Sequence, residues 1–342
     1  MTTKKVTKQI VGIDIGKDSF YACYKIKYSN DSVSIKGTKS FNNDISGMQA
    51  FLLWCKRRDS SLEYRPIYIM EATGVYYENL TYFLYENNQK VSIQLAQKLA
   101  YFAKSNNLKT KTDKVDSKMI ARFGVEKCSE NLLLWTPPSK KFKVIRDLSR
   151  EHGSLKKELT VAKSQLHAMK HAHEIYSTVI VMKKEMINFY EKQLKQVEKE
   201  LKSQVKSDAI LAAKIKNIEG VKGLGFITII KVISEANGFL LFKNIRQLVS
   251  YSGLDIVSKE SGNHQGKTRI SKKGNARIRA ALYMPAMTAS RHNKTLKVFY
   301  EHINQGRTIK KQGLIAVMRK LLILIYTLWK KEEAYVENYK VC

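Results

Sequence analysis

Four carboxylates within the first 116 residues have the types and settings that metal-dependent phosphoryl chemistry requires. Asp14 lies in Val11-Gly-Ile-Asp-Ile-Gly-Lys, in or at the end of an apolar strand-like stretch. A charge in such a place must be paired or bind a cation. Glu71 closes a second apolar stretch, Ile67-Tyr-Ile-Met-Glu. Asp113 and Asp116 stand three apart in Lys111-Thr-Asp-Lys-Val-Asp-Ser. At a helix start that spacing puts both on one face. Carboxylates gathered at strand ends hold two Mg²⁺ (or Mn²⁺) ions and clamp a phosphate between them. Singly, each is a solvated acid or a helix cap. Together, Asp14, Glu71, Asp113 and Asp116 predict a metal-binding catalytic set.

A second constellation reads DIVSKESGNHQGKTRISKKGNARIRAA from Asp255 to Ala281. Lys259, Lys267, Arg269, Lys272, Lys273, Arg277 and Arg279 face a single acid, Glu260, between positions 259 and 279. Basic side chains interleaved with Gly262, Gly266 and Gly274 suit a track for nucleic-acid phosphates. Ser261 lies inside it. A serine attacks a phosphodiester when its proton is removed and cations stabilise the leaving group. By chemistry alone Ser258 and Ser271 are equally eligible, and a loop hydroxyl is the plainer reading.

The elements that must position these groups differ along the chain. Residues 9–15, 19–26 and 33–41 have strand patterns, followed by a helix over 45–58. A strand at 66–70, a helix at 76–85, a strand at 91–95 and helices at 98–105 and 114–125 complete this part. Three strands followed by β-α-β-α predict a mixed sheet flanked by helices. From Ser154 to Glu219 there is neither Gly nor Pro, and apolar residues recur at 3/4 spacing. This predicts a coiled coil, either one rod of about 50 residues reaching roughly 75 Å or a hairpin turning near Thr178–Val181. Gly220, Gly223 and Gly225 then separate two helical patterns. They fit either a helix-hairpin-helix turn whose N–H groups touch phosphate or a tight helix connection. Helices are expected over 244–252, 273–290 and 313–330, with a polar loop over 255–266.

The 342 residues carry 61 Lys and Arg against 30 Asp and Glu, a net charge of +31. Such an excess argues against an ordinary metabolic enzyme and for a polyanionic partner. Residues 207–342 hold 24 basic and 9 acidic side chains, the largest share. The hydrophobic content of 44% supports packed cores. Cys23, Cys55, Cys128 and Cys342 form no CxxC pair, so reduced thiols are expected rather than disulfides or zinc. The start lacks a signal-peptide core, and the apolar run 314–329 is broken by Arg319 and Lys320, as in a buried helix. A cytoplasmic protein without a membrane partner is expected.

Several stretches in order, GIDIGKDSF, MEATGVYYE, LKTKTDKVDSKMIA, GVKGLG, YSGLD, ESG, TRISKKGNARIRAALYMPAM and AVMRKLL, resemble the insertion-sequence transposases of the one-ten family. The resemblance implies a RuvC-like, RNase H-like domain over 1–135 and a coiled-coil or helical linker over 136–207. A helical transposase domain over 208–342 would carry the nucleophilic serine. It implies Asp14, Glu71, Asp113 and Asp116 as the DEDD tetrad and Ser261 as the nucleophile, forming a 5′-phosphoserine link during strand exchange. Lys267, Arg269, Lys272, Lys273, Arg277 and Arg279 are the expected nucleic-acid contacts. The partners implied are donor and target DNA, a structured noncoding bridge RNA, and further copies of the chain as a dimer or tetramer with shared active sites. The segment after Gly262 is short and Asp255-Ile256 replaces a Leu-x-Pro ending, two departures from the family pattern. The alternatives are a metal-dependent junction nuclease without a covalent intermediate and a nucleic-acid scaffold without catalysis.

Overall fold

The computed structural model describes residues 4–72, 74–107, 110, 112–127, 132–240, 242–258, 260–262, 264–266 and 268–337. Contacts divide the chain into two compact units, Met1–Pro137 and Pro138–Cys342.

The first unit contains β1 (Val6–Ile15), β2 (Ser19–Tyr28), β3 (Val33–Asn42), α1 (Ile45–Lys56) and β4 (Ile67–Glu71). It continues with α2 (Tyr77–Glu86), β5 (Lys90–Gln94), α3 (Ala96–Ser105) and α4 (Asp113–Lys127). Its sheet has the order β3-β2-β1-β4-β5. The first three strands are antiparallel neighbours, whereas β4 and β5 run parallel to β1. This is the mixed sheet expected from three strands followed by alternating helices and strands.

Alternation along β1 sorts its side chains between two layers. Val11, Ile13 and Ile15 join Phe51 of α1 and Leu80 and Leu84 of α2, whereas Ile10 joins Leu99 of α3 and Ile120 and Phe123 of α4. Asp44 caps α1 by accepting from Gly47 N at 2.7 Å. Phe51 and Trp54 of that helix interlock with Phe20, Phe41 and Tyr68 of the sheet, mostly edge to face. Cys23 and Cys55 are buried free thiols; Cys128 and Cys342 lie outside the described residues.

The second unit opens with α5 (Lys140–Met169) and α6 (Ser177–Lys206). The contacts His152–Glu198, Lys163–Glu191 and Lys183–Gln165 make them an antiparallel hairpin. The reversal falls at 170–176, so Thr178–Val181 lie in the first turn of α6 rather than in the bend. Ile145, Leu201 and Val205 carry the hairpin's base into the core.

The chain continues through α7 (Ala209–Glu219), α8 (Phe226–Glu235) and α9 (Ile245–Tyr251). It ends with α10 (Ala276–His292), α11 (Lys294–Asn304) and α12 (Lys311–Lys331). Between α7 and α8, an added Cβ at Gly223 would stand 2.9 Å from the Pro285 carbonyl oxygen and from Ala289 N, so this connection packs tightly onto α10. α12 is long and apolar enough to cross a membrane by composition alone, yet 61% of that stretch is buried in the protein. Val317, Leu321, Leu322, Ile325 and Leu328 make it the central core helix.

Candidate active site

Asp14 stands near the carboxyl end of β1, and Glu71 ends β4. The two strands are parallel, with Ile13 opposite Met70. Asp14 and Glu71 therefore follow side by side on adjacent strands, on the face shared with Ile10 and Ile69. Both are half-buried.

α4 packs on that same face. A Cβ at Gly12 would overlap the backbone of Ser117 and Ala121, and Gly124 lies over Ile10 and Ile69. Stepping from Ile10 to Gly12 along β1 thus moves from Gly124 toward Ser117 along α4. The helix runs against the strand and brings its first turn toward the edge holding Asp14 and Glu71. That turn carries Asp113 and Asp116. Thr112 starts the helix, its hydroxyl accepting from Val115 N at 3.3 Å and its carbonyl from Asp116 N at 2.8 Å. Acidic residues in a first helical turn also meet the positive end of the helix dipole.

All four predicted carboxylates thus belong to one edge of the first unit. Among the described residues, no three His, Cys, Asp or Glu side chains are grouped closely enough to share one ion. The donor set itself, four carboxylates on one edge, has the hard oxygen chemistry that Mg²⁺ takes. Gly12 has a packing role: it admits α4 to the sheet.

In the second unit, the segment expected as a polar loop is a short two-tier β-ribbon. β6 (Ile256–Val257) pairs with β9 (Arg269–Ile270), and β7 (Glu260–Ser261) pairs with β8 (His264–Gln265). Ser261 lies opposite His264 at the tip, exposed, with Gly262 turning the chain at φ +54°. The base is tied by Ser271 N donating to the Asp255 carbonyl at 2.9 Å, by the Ser271 hydroxyl on the Asp255 carboxylate, and by Asn275 N donating to the Tyr251 carbonyl at 2.7 Å. Ser271, bound to Asp255 at the base, is thereby set apart from Ser261 at the tip.

The expected phosphate track divides. Arg269, Lys272, Lys273 and Arg277 are exposed. Arg279 is turned inward, its Nη1 donating to the Ser252 carbonyl at 2.9 Å and approaching that of Gly274 at 3.4 Å. Its charge therefore braces the turn before α10. Lys267 and Lys259 lie outside the described residues. A hub that sequence reading missed lies beneath the track. Glu235, its side chain 4% exposed, accepts from Arg150 Nε at 2.7 Å, Arg150 Nη2 at 3.0 Å and Asn275 Nδ2 at 2.8 Å. Burial pushes its pKa up, but Arg150, Asn275 and Arg277 outweigh that and hold it below the ordinary value. Asn275 also caps α10, accepting from Arg277 N and Ile278 N, so the hub sets where the basic helix begins.

Comparison with known proteins decides the family. A model described as the transposase IS116/IS110/IS902 family matches residues 215–301, and a DEDD transposase model of the IS110 family matches residues 11–176. The chain belongs to the IS110 family of transposases. Among its relatives, the pilin gene-inverting proteins of Moraxella bovis and Moraxella lacunata are each 26% identical over 332 residues, spanning 96% of this chain and 98% of theirs. The transposase for insertion sequence element IS1111A of Coxiella burnetii is 27% identical over 175 residues, 49% of this chain and 44% of that one. The IS110-family match covers the carboxylate edge in one model and the ribbon in the other. The transposase acts in DNA recombination, and its family points to a divalent metal cofactor.

Proposed function

We propose that this transposase excises and inserts its element by strand exchange through a phosphoserine intermediate, using an RNase H-like fold for its first unit. The observation that carries this reading is the presence in one chain of a four-carboxylate edge on the first unit and, separately, of an exposed serine on a basic ribbon of the second. Asp14, Glu71, Asp113 and Asp116 would hold Mg²⁺, which when bound supplies positive charge to the reacting phosphate. Ser261 Oγ forms a bond to phosphorus while the bond from phosphorus to the 3′ oxygen breaks. The serine proton is lost and the departing oxygen gains one, leaving a 5′-phosphoserine and a free 3′-hydroxyl. Arg269, Lys272, Lys273 and Arg277 neutralise the flanking phosphates. The strand order, with three antiparallel strands and two parallel ones beside β1, supports the RNase H-like assignment.

Self-association belongs to the same reading. Val179, Met182, Met186 and Phe189 recur at 3/4 spacing on α6, and Met182 and Phe189 are 62% and 55% exposed. A protruding apolar stripe of this kind calls for a partner helix, and a second copy of the chain provides one. Sites shared between protomers follow if the serine of one copy serves the carboxylates of another. Guidance by a structured bridge RNA is in keeping with the +31 charge and with the family resemblance.

The test is to trap DNA on the protein with a suicide substrate and to locate the adduct by peptide mass. A DNA adduct on Ser261 is expected, absent in Ser261→Ala. Metal-dependent cutting without an adduct would favour the junction-nuclease reading instead. Mixing Asp14→Asn with Ser261→Ala protein should restore adduct formation if sites are shared. RNA copurifying with the protein, and target choice following changes in that RNA, would bear on guidance.

A further inference from the structure

A basic groove lies on the first unit away from the carboxylate edge. Lys36, Lys39, Leu53, Trp54, Arg57 and Arg58 line most of an open cavity of about 650 Å³ between β3 and α1. Among the described residues no carboxylate lines it. The groove opens on the α1 face of the sheet, whereas Asp14 and Glu71 belong to the α4 face. Gly37 pairs with Tyr24, which lies opposite Val11. The groove is thus level with the middle of β1, three residues or about 10 Å along the strand from Asp14.

The local chain geometry is built around these cations. Tyr24 pairs with Gly37 but Lys25 pairs with Ile35, so Lys36 is the extra residue of a β-bulge. A bulge re-aims a side chain, and here Lys36 lines the same cavity as Lys39. Arg58 is fixed rather than free: Nη1 donates to the Trp54 carbonyl at 2.9 Å, Nε donates to the Lys36 carbonyl at 3.2 Å, and the guanidinium sits 4.2 Å from the Trp54 ring centroid. A Cβ at Gly37 would stand 2.8 Å from Arg58 Nε, so the glycine makes room for that arginine. Ala50 and the half-exposed Leu53 add an apolar wall.

We infer that this groove binds an unpaired stretch of DNA, with phosphates on Lys36, Lys39 and Arg57 and a base or sugar against Leu53. Lys36, Lys39 and Arg57, with the fixed Arg58 beside them and no lining acid among the described residues, select a polyanion. The concavity has the size of a small-ligand cleft, which admits a nucleotide, whereas the convex backbone of a duplex only grazes it. Cations beside an apolar wall are the arrangement that single strands use. The inference rests on the proposed strand exchange only for the source of the ligand: exchange between duplexes leaves DNA transiently unpaired. A phosphate held here is a positioning contact, on the face of the sheet opposite the one that carries Asp14 and Glu71.

The test uses the full chain with EDTA present, so that it is independent of strand cleavage. Binding of a 12-nucleotide DNA strand, the same sequence as duplex, and the same sequence as RNA is followed by fluorescence anisotropy across a salt series. In the triple variant Lys36→Gln, Lys39→Gln, Arg57→Gln, single-strand DNA affinity should fall on the order of tenfold, and its salt slope should shrink by about 2, the loss of three phosphate contacts on a single strand. Duplex affinity should hold. In a separate Leu53→Cys variant, single-strand DNA should slow alkylation at position 53 more than duplex or RNA does. Equal losses for strand and duplex, or no protection at position 53, would overturn the inference. Stronger protection by RNA would overturn the assignment to DNA. The position-53 measurement stands even if the triple variant folds poorly.

Discussion

Arg150 of α5 grips Glu235 of α8 with two parallel hydrogen bonds, 2.7 and 3.0 Å long, and so joins the helical hairpin to the last residue of α8, one helix ahead of α9 and the ribbon. Glu235 is almost wholly buried, whereas Arg150 is 40% exposed. A bidentate arginine–carboxylate pair of this kind is directional as well as strong.

Glu235→Ala should therefore destabilise the protein by about 3 kcal/mol, near the lower end for breaking a buried pair because the arginine left behind can reach water. Glu235→Gln should cost less. Urea unfolding followed by circular dichroism measures both. The variants should also loosen Asn275 and the start of α10, lowering DNA affinity at the exposed Lys272, Lys273 and Arg277.

The same carboxylate gives a pH dependence with a definite sign. Its pKa in the folded protein lies below the ordinary 4.5. Its contribution to stability is complete above that ordinary value and is lost as pH falls below it, through the depressed folded value. Wild-type stability should decline faster than that of Glu235→Gln in this acid window, as thermal unfolding in a pH series would reveal. Parallel curves would remove Glu235 as the cause.

Gly12→Ala should cost about 3 kcal/mol, because the added methyl overlaps backbone atoms of α4 rather than a side chain that can swing away. Activity should fall further than stability alone predicts, since Asp113 and Asp116 ride on the displaced helix. Comparing recombination at a temperature where the variant is fully folded separates the two effects.

Asp14→Asn and Asp116→Asn should each remove recombination while the protein still folds, because the lost charge is needed where Mg²⁺ binds; circular dichroism and a recombination assay read the two effects. Wild-type activity in thoroughly chelated buffer would eliminate the metal role.

Much of the first unit is readable from local pattern: β1, β2, β4 and β5 are apolar or alternating, and Asp113–Asp116 begins a helix. That Asp14 and Glu71 stand side by side is not local. It depends on β4 pairing parallel to β1 after α1 has crossed over, a register set by burial on both faces. The ribbon escaped notice because its strands are two residues long and pair through backbone groups, which leave no periodic side-chain trace. The reversal at 170–176 has no Gly or Pro to mark it. α11 did carry a signal, Leu296, Phe299, Tyr300 and Ile303 at helical spacing, close behind α10. Arg279 counted as one more positive charge, since composition does not reveal which guanidinium is already occupied by carbonyl oxygens.

The helical hairpin has a further consequence. α5 and α6 contain 30 residues each, and both begin or end at the same base. Such an arm is an adjustable spacer: residues added to the outgoing helix can be matched by residues added to the returning one, leaving the anchoring layer around Ile145, Leu201 and Val205 in register. Length differences between this chain and its relatives within 140–206 should accordingly come in matched pairs about the tip. Unmatched ones would twist the arm about its own axis and rotate whatever surface it presents.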